Sequence, residues 1–174
     1  MFDLFNKLIA RLELLGIPYM LSGSVVLNVY AMPRMTRDID VVIHLQDADI
    51  DAFVRAFSED FYYHLPTIQE EVRRRGMFNL IDNQSGYKVD FMIRKDTDYR
   101  KIEFERRKKS SVLGIDTWIV SLEDLIISKL IWTQELQSDK QLADIESLLE
   151  NPTLDTQYLN YWIKKLQLNT FNLL

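Results

Sequence analysis

The stretch that most constrains this chain runs from Leu21 to Leu45, LSGSVVLNVYAMPRMTRDIDVVIHL. It reads as a short apolar strand, a Gly-Ser turn opening a helix, a basic loop, and a second strand that begins with two aspartates. Alternation along the second strand places Ile39, Val41, Ile43 and Leu45 on one face and Asp38 and Asp40 on the other. One face must be buried, and burying it presents both carboxylates on the side that stays open. Residues at i and i+2 lie ~6.5 Å apart along a strand, near enough to share one hard cation or to flank a pair ~3.5–4 Å apart. Mg²⁺ is the cation such oxygen-only sites serve. Upstream, the Gly23-Ser24 turn offers backbone N–H groups and a hydroxyl at a helix N-terminus, which suit a phosphate.

A later segment repeats the pattern. Tyr87, Val89, Phe91 and Ile93 alternate with Lys88, Asp90 and Met92, so Asp90 is presented on a strand as Asp38 and Asp40 are. Met77 to Asp82 has the same period, and the turn-rich Asn83-Gln-Ser-Gly86 between the two runs predicts a hairpin with a longer loop. Around these strands, Leu4, Phe5, Leu8, Ile9, Leu12 and Leu15 predict a first helix capped by Asp3 and ended by Gly16 and Pro18. Val25 to Ala31 predicts a short helix that Met32-Pro33 must end. Asp47 is the expected cap of a helix carrying Ile50, Phe53, Val54 and Phe57, and Thr67 to Glu70 the expected capping box of another. The expected fold is α/β (α+β): a small mixed sheet with flanking helices over residues 1–120, and a helical C-terminal part, residues 121–174, packed on it.

That C-terminal part opens with a capping box from Ser121 to Asp124 and a stripe of Leu122, Leu125, Ile126 and Leu130, with Lys129 at the stripe's edge. A second helix carries Leu142, Ile145, Leu148 and Leu149, with Asp144 near its apolar side. By physics alone Lys129 and Asp144 read as a salt bridge or snorkelling residues on packed helices. Tyr158, Tyr161, Trp162 and Ile163 near helical spacing fit a tail that covers the core or forms an oligomer contact.

Composition removes several chemistries. The 174 residues contain no cysteine and two histidines, His44 and His64, which excludes disulfides, thiolate zinc sites and thiol nucleophiles. No apolar run approaches the ~20 residues of a bilayer span, and the charged N-terminal helix does not read as a signal peptide, so a cytoplasmic location is expected. A net charge of −5 argues against nonspecific coating of nucleic acid but leaves room for a local basic groove. Two basic runs stand out: Arg73 to Arg75, and Arg94 to Lys109 with eight basic against four acidic residues. A solvated helix face explains such runs most simply; the functional alternative is contact of Arg73 to Arg75 and Arg106 to Lys109 with the phosphates of a nucleic acid, or of Arg106 to Lys109 with a triphosphate. Arg34 and Arg37 beside the aspartates read equally as charge neutralisation or as phosphate contacts.

The Gly-Ser turn, Asp-x-Asp strand and third strand aspartate together resemble the DNA polymerase beta-like nucleotidyltransferase superfamily. Thirteen residues separate Ser24 from Asp38, at the long end of its spacing. Ser-Leu-Glu-Asp-Leu-Ile-Ile-Ser-Lys-Leu, followed by Asp-Lys-Gln-Leu-Ala-Asp-Ile-Glu-Ser-Leu-Leu, is similar to stand-alone bacterial nucleotidyltransferases, including abortive-infection toxins, so the resemblance spans Tyr19 to about Leu149. It implies transfer of a nucleoside monophosphate from an NTP, ATP among the candidates, to an acceptor hydroxyl. It further implies Mg²⁺ on Asp38, Asp40 and Asp90, with Asp90 as general base and phosphate contacts from Gly23 and Ser24. Lys129 and Asp144 join the active site by resemblance alone. An RNA acceptor, a tRNA end foremost, and a cognate antitoxin partner are what the toxin-type likeness implies, beside small-molecule or protein acceptors. The competing readings are a nucleotidyltransferase-fold protein that binds nucleotide or a partner without turnover, and a metal-dependent phosphoesterase. Three clustered acids disfavour the first, because an inert scaffold has no need of mutually repelling carboxylates. The shortage of imidazoles disfavours the second.

Overall fold

The computed structural model describes residues 2–136 and 138–174. In chain order its elements are α1 (Phe2–Leu15), β1 (Tyr19–Ser22), α2 (Gly23–Tyr30), β2 (Asp38–Ile43), a 3₁₀ turn (Asp47–Asp49), α3 (Ile50–Phe57), β3 (Phe61–Tyr62), α4 (Leu65–Arg74), β4 (Met77–Asp82) and β5 (Lys88–Ile93). There follow α5 (Asp98–Glu105), β6 (Lys108–Val112), β7 (Ile115–Ile119), α6 (Leu122–Glu135), α7 (Asp139–Leu149) and α8 (Thr156–Lys165). The strands form one mixed sheet of order β3-β4-β5-β2-β1-β7-β6. β2 runs parallel to β5 and β1 parallel to β7, while the other neighbours are antiparallel.

Alternation decides which face is dry. Ile39, Val41 and Ile43 of β2 and Val89, Phe91 and Ile93 of β5 are buried together. Phe91 meets Phe53 of α3 edge-on at 5.2 Å and stacks on Phe78 of β4 at 5.3 Å, and Phe57 completes the cluster. These helix-covered rings sit on the face opposite Asp40 and Asp90, so α3 clamps the back of the sheet while the acids look out of the front. At the front, α2 packs against β1 and β2, and α6 contacts α2, α7 and α8.

Several local expectations shift. α4 starts at Leu65 with Pro66 in its first turn and His64 as N-cap, two residues before the expected capping box, because proline is preset for a helix start. Gln46, not Asp47, caps the 3₁₀ turn, pairing reciprocally with Asp49. Ser121 does cap α6, accepting from the Asp124 backbone N–H. The hairpin β6–β7 was not expected at all. Its residues Lys108 to Ser111 read as charged surface, and an edge strand that pairs on one side only can carry such a sequence. α6 also exceeds its expected stripe: Leu122 through Leu130 are all buried, since other elements pack around its whole circumference.

Truncating the hub of the aromatic cluster tests this packing. Phe91→Ala should lower unfolding free energy by about 3–5 kcal/mol in urea titration, with no change of slope; a loss below about 1 kcal/mol would mean that α3 does not hold the back of the sheet.

Candidate active site

Strand register builds the centre of the site. Asp40 of β2 lies directly beside Asp90 of β5, and Ser22 of β1 lies beside Asp40 on its other flank. Immediately after Ser22 the chain turns into α2 through Gly23, whose φ of +61° belongs to the left-handed region. A Cβ on Gly23 would sit 1.9 Å from the Asp40 Oδ2. Glycine is thus required twice over, for the backbone angle and for the approach of the carboxylate.

The three aspartates differ in environment. Asp38 is exposed, Asp40 is partly buried and Asp90 is buried. The Asp40 carboxyl is pushed above its ordinary value of 3.8, first by burial and then by the charges of Asp90 and Asp38, with Lys129 opposing. Asp90 accepts an ion pair from Lys88 Nζ at 2.8 Å through Oδ2, while its Oδ1 is buried without a partner. Among the described residues, no three acidic or imidazole side chains gather closely enough to enclose a metal ion. What the site offers a divalent cation is narrower: a register-paired Asp40 and Asp90, one of whose buried oxygens lacks a hydrogen bond, with Asp38 one pleat along the strand. Such an oxygen set fits Mg²⁺ in kind, since Mg²⁺ keeps several waters and takes one or two carboxylates.

Over this centre lies an ionic cluster drawn from three separate segments. Lys129 Nζ of α6 donates to Asp144 Oδ2 of α7 at 2.8 Å and to Gln141 Oε1 at 2.9 Å. Arg34, from the loop between α2 and β2, grips Asp144 with Nε at 2.8 Å and Nη2 at 2.7 Å, and its Nη2 also donates to Ser24 Oγ at 2.6 Å. Asn28 of α2 fixes that loop by a two-way amide pairing with the Arg34 backbone, each bond 2.9 Å. Burial opposes ionisation of Asp144, but the hydrogen bonds from Arg34 and Lys129 outweigh it and hold the carboxyl below its ordinary range. Burial lowers the Lys129 ammonium, and Asp144 restores part of the loss.

A cleft of about 460 Å³ opens on the front of the sheet, and Gly23, Ser24, Asp40, Asp90 and Lys129 all line it. Asp38 and Asp144 stand outside its walls, the one at the exposed strand start and the other behind Lys129. The salt bridge expected from helix packing is present, and its lysine faces the acids as well. Sequence reasoning left Arg34 undecided, and only the long-range bond to Asp144 reveals its place. Of the basic runs, Arg75 just past α4, Arg94 just past β5 and Arg100 of α5 line the same cleft, as does Trp132 of α6, which sequence reasoning had not singled out. The run Arg106 to Lys109 does not line it. Arg106 pairs with Glu123 and Asp124 and lies over Tyr158, and Arg107 stacks on Phe104 and Trp118.

No curated protein matches the sequence. The fold is similar to the solution structure of the antibiotic-resistance factor ANT(2″)-Ia, with a TM-score of 0.62 and 11% identity over 95% of this chain and 90% of that one. A crystal structure of ANT(2″)-Ia in complex with adenylyl-2″-tobramycin gives 0.61 and 12%, over 95% of each chain. The lincomycin-bound lincosamide antibiotic adenylyltransferase LnuA gives 0.56 and 13%, over 85% of this chain and 95% of that one. At such identities the likeness concerns the fold, which is that of the nucleotidyltransferases. In sequence, the family described as nucleotidyltransferase of unknown function (DUF6036) matches residues 19–172, from the first strand into the C-terminal tail, and the chain belongs to that family.

Proposed function

We propose that the protein transfers a nucleoside monophosphate from an NTP to an acceptor hydroxyl, using Asp38, Asp40 and Asp90 as its acidic centre. The observation that carries this is the pairing of Asp40 with Asp90 against Gly23, where a carboxylate is held in a partly buried, self-repelling position that only glycine permits. Folding gains nothing from that crowding, so its use lies in the ligand it receives. The α2 N-terminus at Gly23 and Ser24 presents N–H groups to phosphate oxygens, and Lys129, steadied by Asp144, adds a positive charge at the same end of the cleft. Arg34 sets the Ser24 hydroxyl and the Asp144 carboxylate together.

In this reading the acceptor oxygen forms a bond to the α-phosphorus as the α–β bridging bond breaks. Pyrophosphate leaves with the electron pair of that bond, and the acceptor proton passes to Asp90. Mg²⁺ held by Asp40 and Asp90, with Asp38 completing the set, would supply charge stabilisation of the attacking and leaving oxygens. An RNA end remains the favoured acceptor on the toxin-type resemblance, with a cognate antitoxin as the partner that resemblance carries. Incubation with each labelled NTP and Mg²⁺, separately with total RNA, lysate protein or a small-molecule panel, tests the reading; absence of label in every fraction refutes transfer.

The acidic centre predicts a pH signature. Because the folded-state pKa of Asp40 is raised, its protonated form is favoured by folding, and its contribution to stability is present in acid and is lost as pH rises through the shifted value. Asp40→Asn should remove this dependence. The metal-free variant should melt above wild type at pH 7, with the gap closing toward pH 4, and it should lose transfer; a variant less stable at pH 7 would contradict the repulsion.

The ionic cluster separates catalysis from stability. Lys129→Met leaves Asp144 paired with Arg34, so the fold should persist while transfer falls by about 10²-fold, the scale of a lost charged donor. Asp144→Ala instead strands two cations, and should cost about 3–5 kcal/mol in denaturation. Equal activity in Lys129→Met and wild type would reduce the pair to a structural role.

A further inference from the structure

The floor of the cleft carries a gradient that the pleat makes regular. On β5 the side chains of Asp90, Met92 and Arg94 share one face, and the ladder continues past the strand because the Arg94 N–H bonds Ile43 O at 2.9 Å. Asp40 lies beside Asp90, Val42 beside Met92, and Met77 of β4 beside Met92 on the other side. Reading along the sheet, a carboxylate row gives way to an apolar row and then to a cationic one, ~13 Å from first to last at the rise of an extended strand.

The cationic row is built deliberately. Arg75, just past the end of α4, has a left-handed backbone (φ 55°), and its guanidinium donates to Arg94 O at 3.1 Å and pairs with Asp96 at 2.5 Å. Arg94 pairs with the same Asp96 at 3.0 Å, packs over Phe104, and keeps a buried Nε without a partner. Arg75 and Arg94 thus share one half-exposed carboxylate, and Lys95 lines the cleft beside them. His44, in contact with Arg94, is lowered by burial and then by Arg94 and Arg75, so it contributes no charge near neutrality. Of the other charged lining residues, Arg100 is neutralised by Glu103 at 2.8 Å, and Glu135 stands on α6 across the cleft.

Position tells which substrate meets this row. The sheet order β4-β5-β2-β1 sets the Gly23-Ser24 turn and the Arg75–Arg94 row on opposite flanks of the acids. If the triphosphate takes the Gly23 flank, as the nucleotidyltransferase reading on which this rests requires, the β4–β5 flank is left to the acceptor. We propose that the acceptor is anionic, and that Arg75, Arg94 and Lys95 hold a phosphate of it ~13 Å from the hydroxyl that reacts beside Asp90. A polyamine acceptor such as an aminoglycoside would meet repulsion on that flank.

Fluorescence anisotropy with a labelled hexa-adenylate as probe, over a range of salt, tests this. The full-length wild type should bind it, and Arg75→Asn with Lys95→Gln should flatten the plot of log K against log salt by about 0.7 for each phosphate contact removed. Asparagine is chosen because it tolerates the left-handed backbone at position 75. The charge-matched control Lys101→Gln with Lys164→Gln, on exposed faces of α5 and α8, should keep the wild-type slope. Competition distinguishes the source of the anion: displacement by glucose 6-phosphate points to a small phosphorylated acceptor, and displacement by unlabelled oligoribonucleotide alone points to a nucleic-acid end. The proposal is overturned if neither phosphate probe binds at low salt, if the double variant keeps the wild-type slope, or if a neomycin-type polyamine binds the cleft more tightly than either. Nucleotide binding, measured separately with a fluorescent NTP, reports on the underlying reading. Its absence beside intact hexa-adenylate binding removes the transferase and leaves the anion surface, whereas the converse removes the anion surface alone.

Discussion

Two carboxylates side by side in adjacent parallel strands are an arrangement that folding on its own resists. Asp40 and Asp90 are held there because the opposite faces of the same strands bury Val41 and Phe91, and each fully buried large side chain is worth about 1.5–3 kcal/mol. The dry face sets the register, and the register imposes the acidic pair. A slip of one residue would turn both acids into the aromatic cluster under α3 and bring Phe91 to the surface. The site is therefore as secure as the core behind it.

Around that pair, the molecule distributes positive charge by flank. Lys129 and Arg34 converge with Asp144 near the Gly23 turn, while Arg75 and Arg94 share Asp96 beyond the apolar strip. Each cation is tethered by a carboxylate that fixes its geometry without cancelling the whole cluster, since on each flank two or more cations share one acid. A net charge of −5 for the whole chain conceals this local pattern.

The C-terminal helices matter to the site through position. Asp124, fully buried at the start of α6, accepts from Ser121 Oγ at 2.6 Å, Arg106 Nε at 3.0 Å, and the hydroxyls of Tyr158 at 2.8 Å and Tyr99 at 3.3 Å. These donors come from α5, α8 and the segments that lead into β6 and α6. A satisfied buried carboxylate of this kind rigidifies the elements it joins, because freeing any donor would leave a charge short of partners in a low-dielectric interior. α6 is thereby fixed along its length, and Lys129 is carried to the cleft with it.

By itself the sequence determined the features whose physics is local. Period-two alternation sufficed for β2, β4 and β5 and for the faces of Asp38, Asp40 and Asp90. A glycine-opened helix located the turn at Gly23, and Ser121 marked the start of α6. The rest required the tertiary structure, for a common reason: it depends on partners far apart in the chain. Pairing with β7 made an edge strand of Lys108 to Val112, whose Lys108 to Ser111 resemble exposed surface. Arg34 became part of the site through Asp144, 110 positions away. Arg106, from a run that read as a solvated face or a phosphate contact, turned inward to Asp124 because a buried carboxylate there needs its charge. Alternation decides which way a side chain points, but only the folded chain decides what it meets.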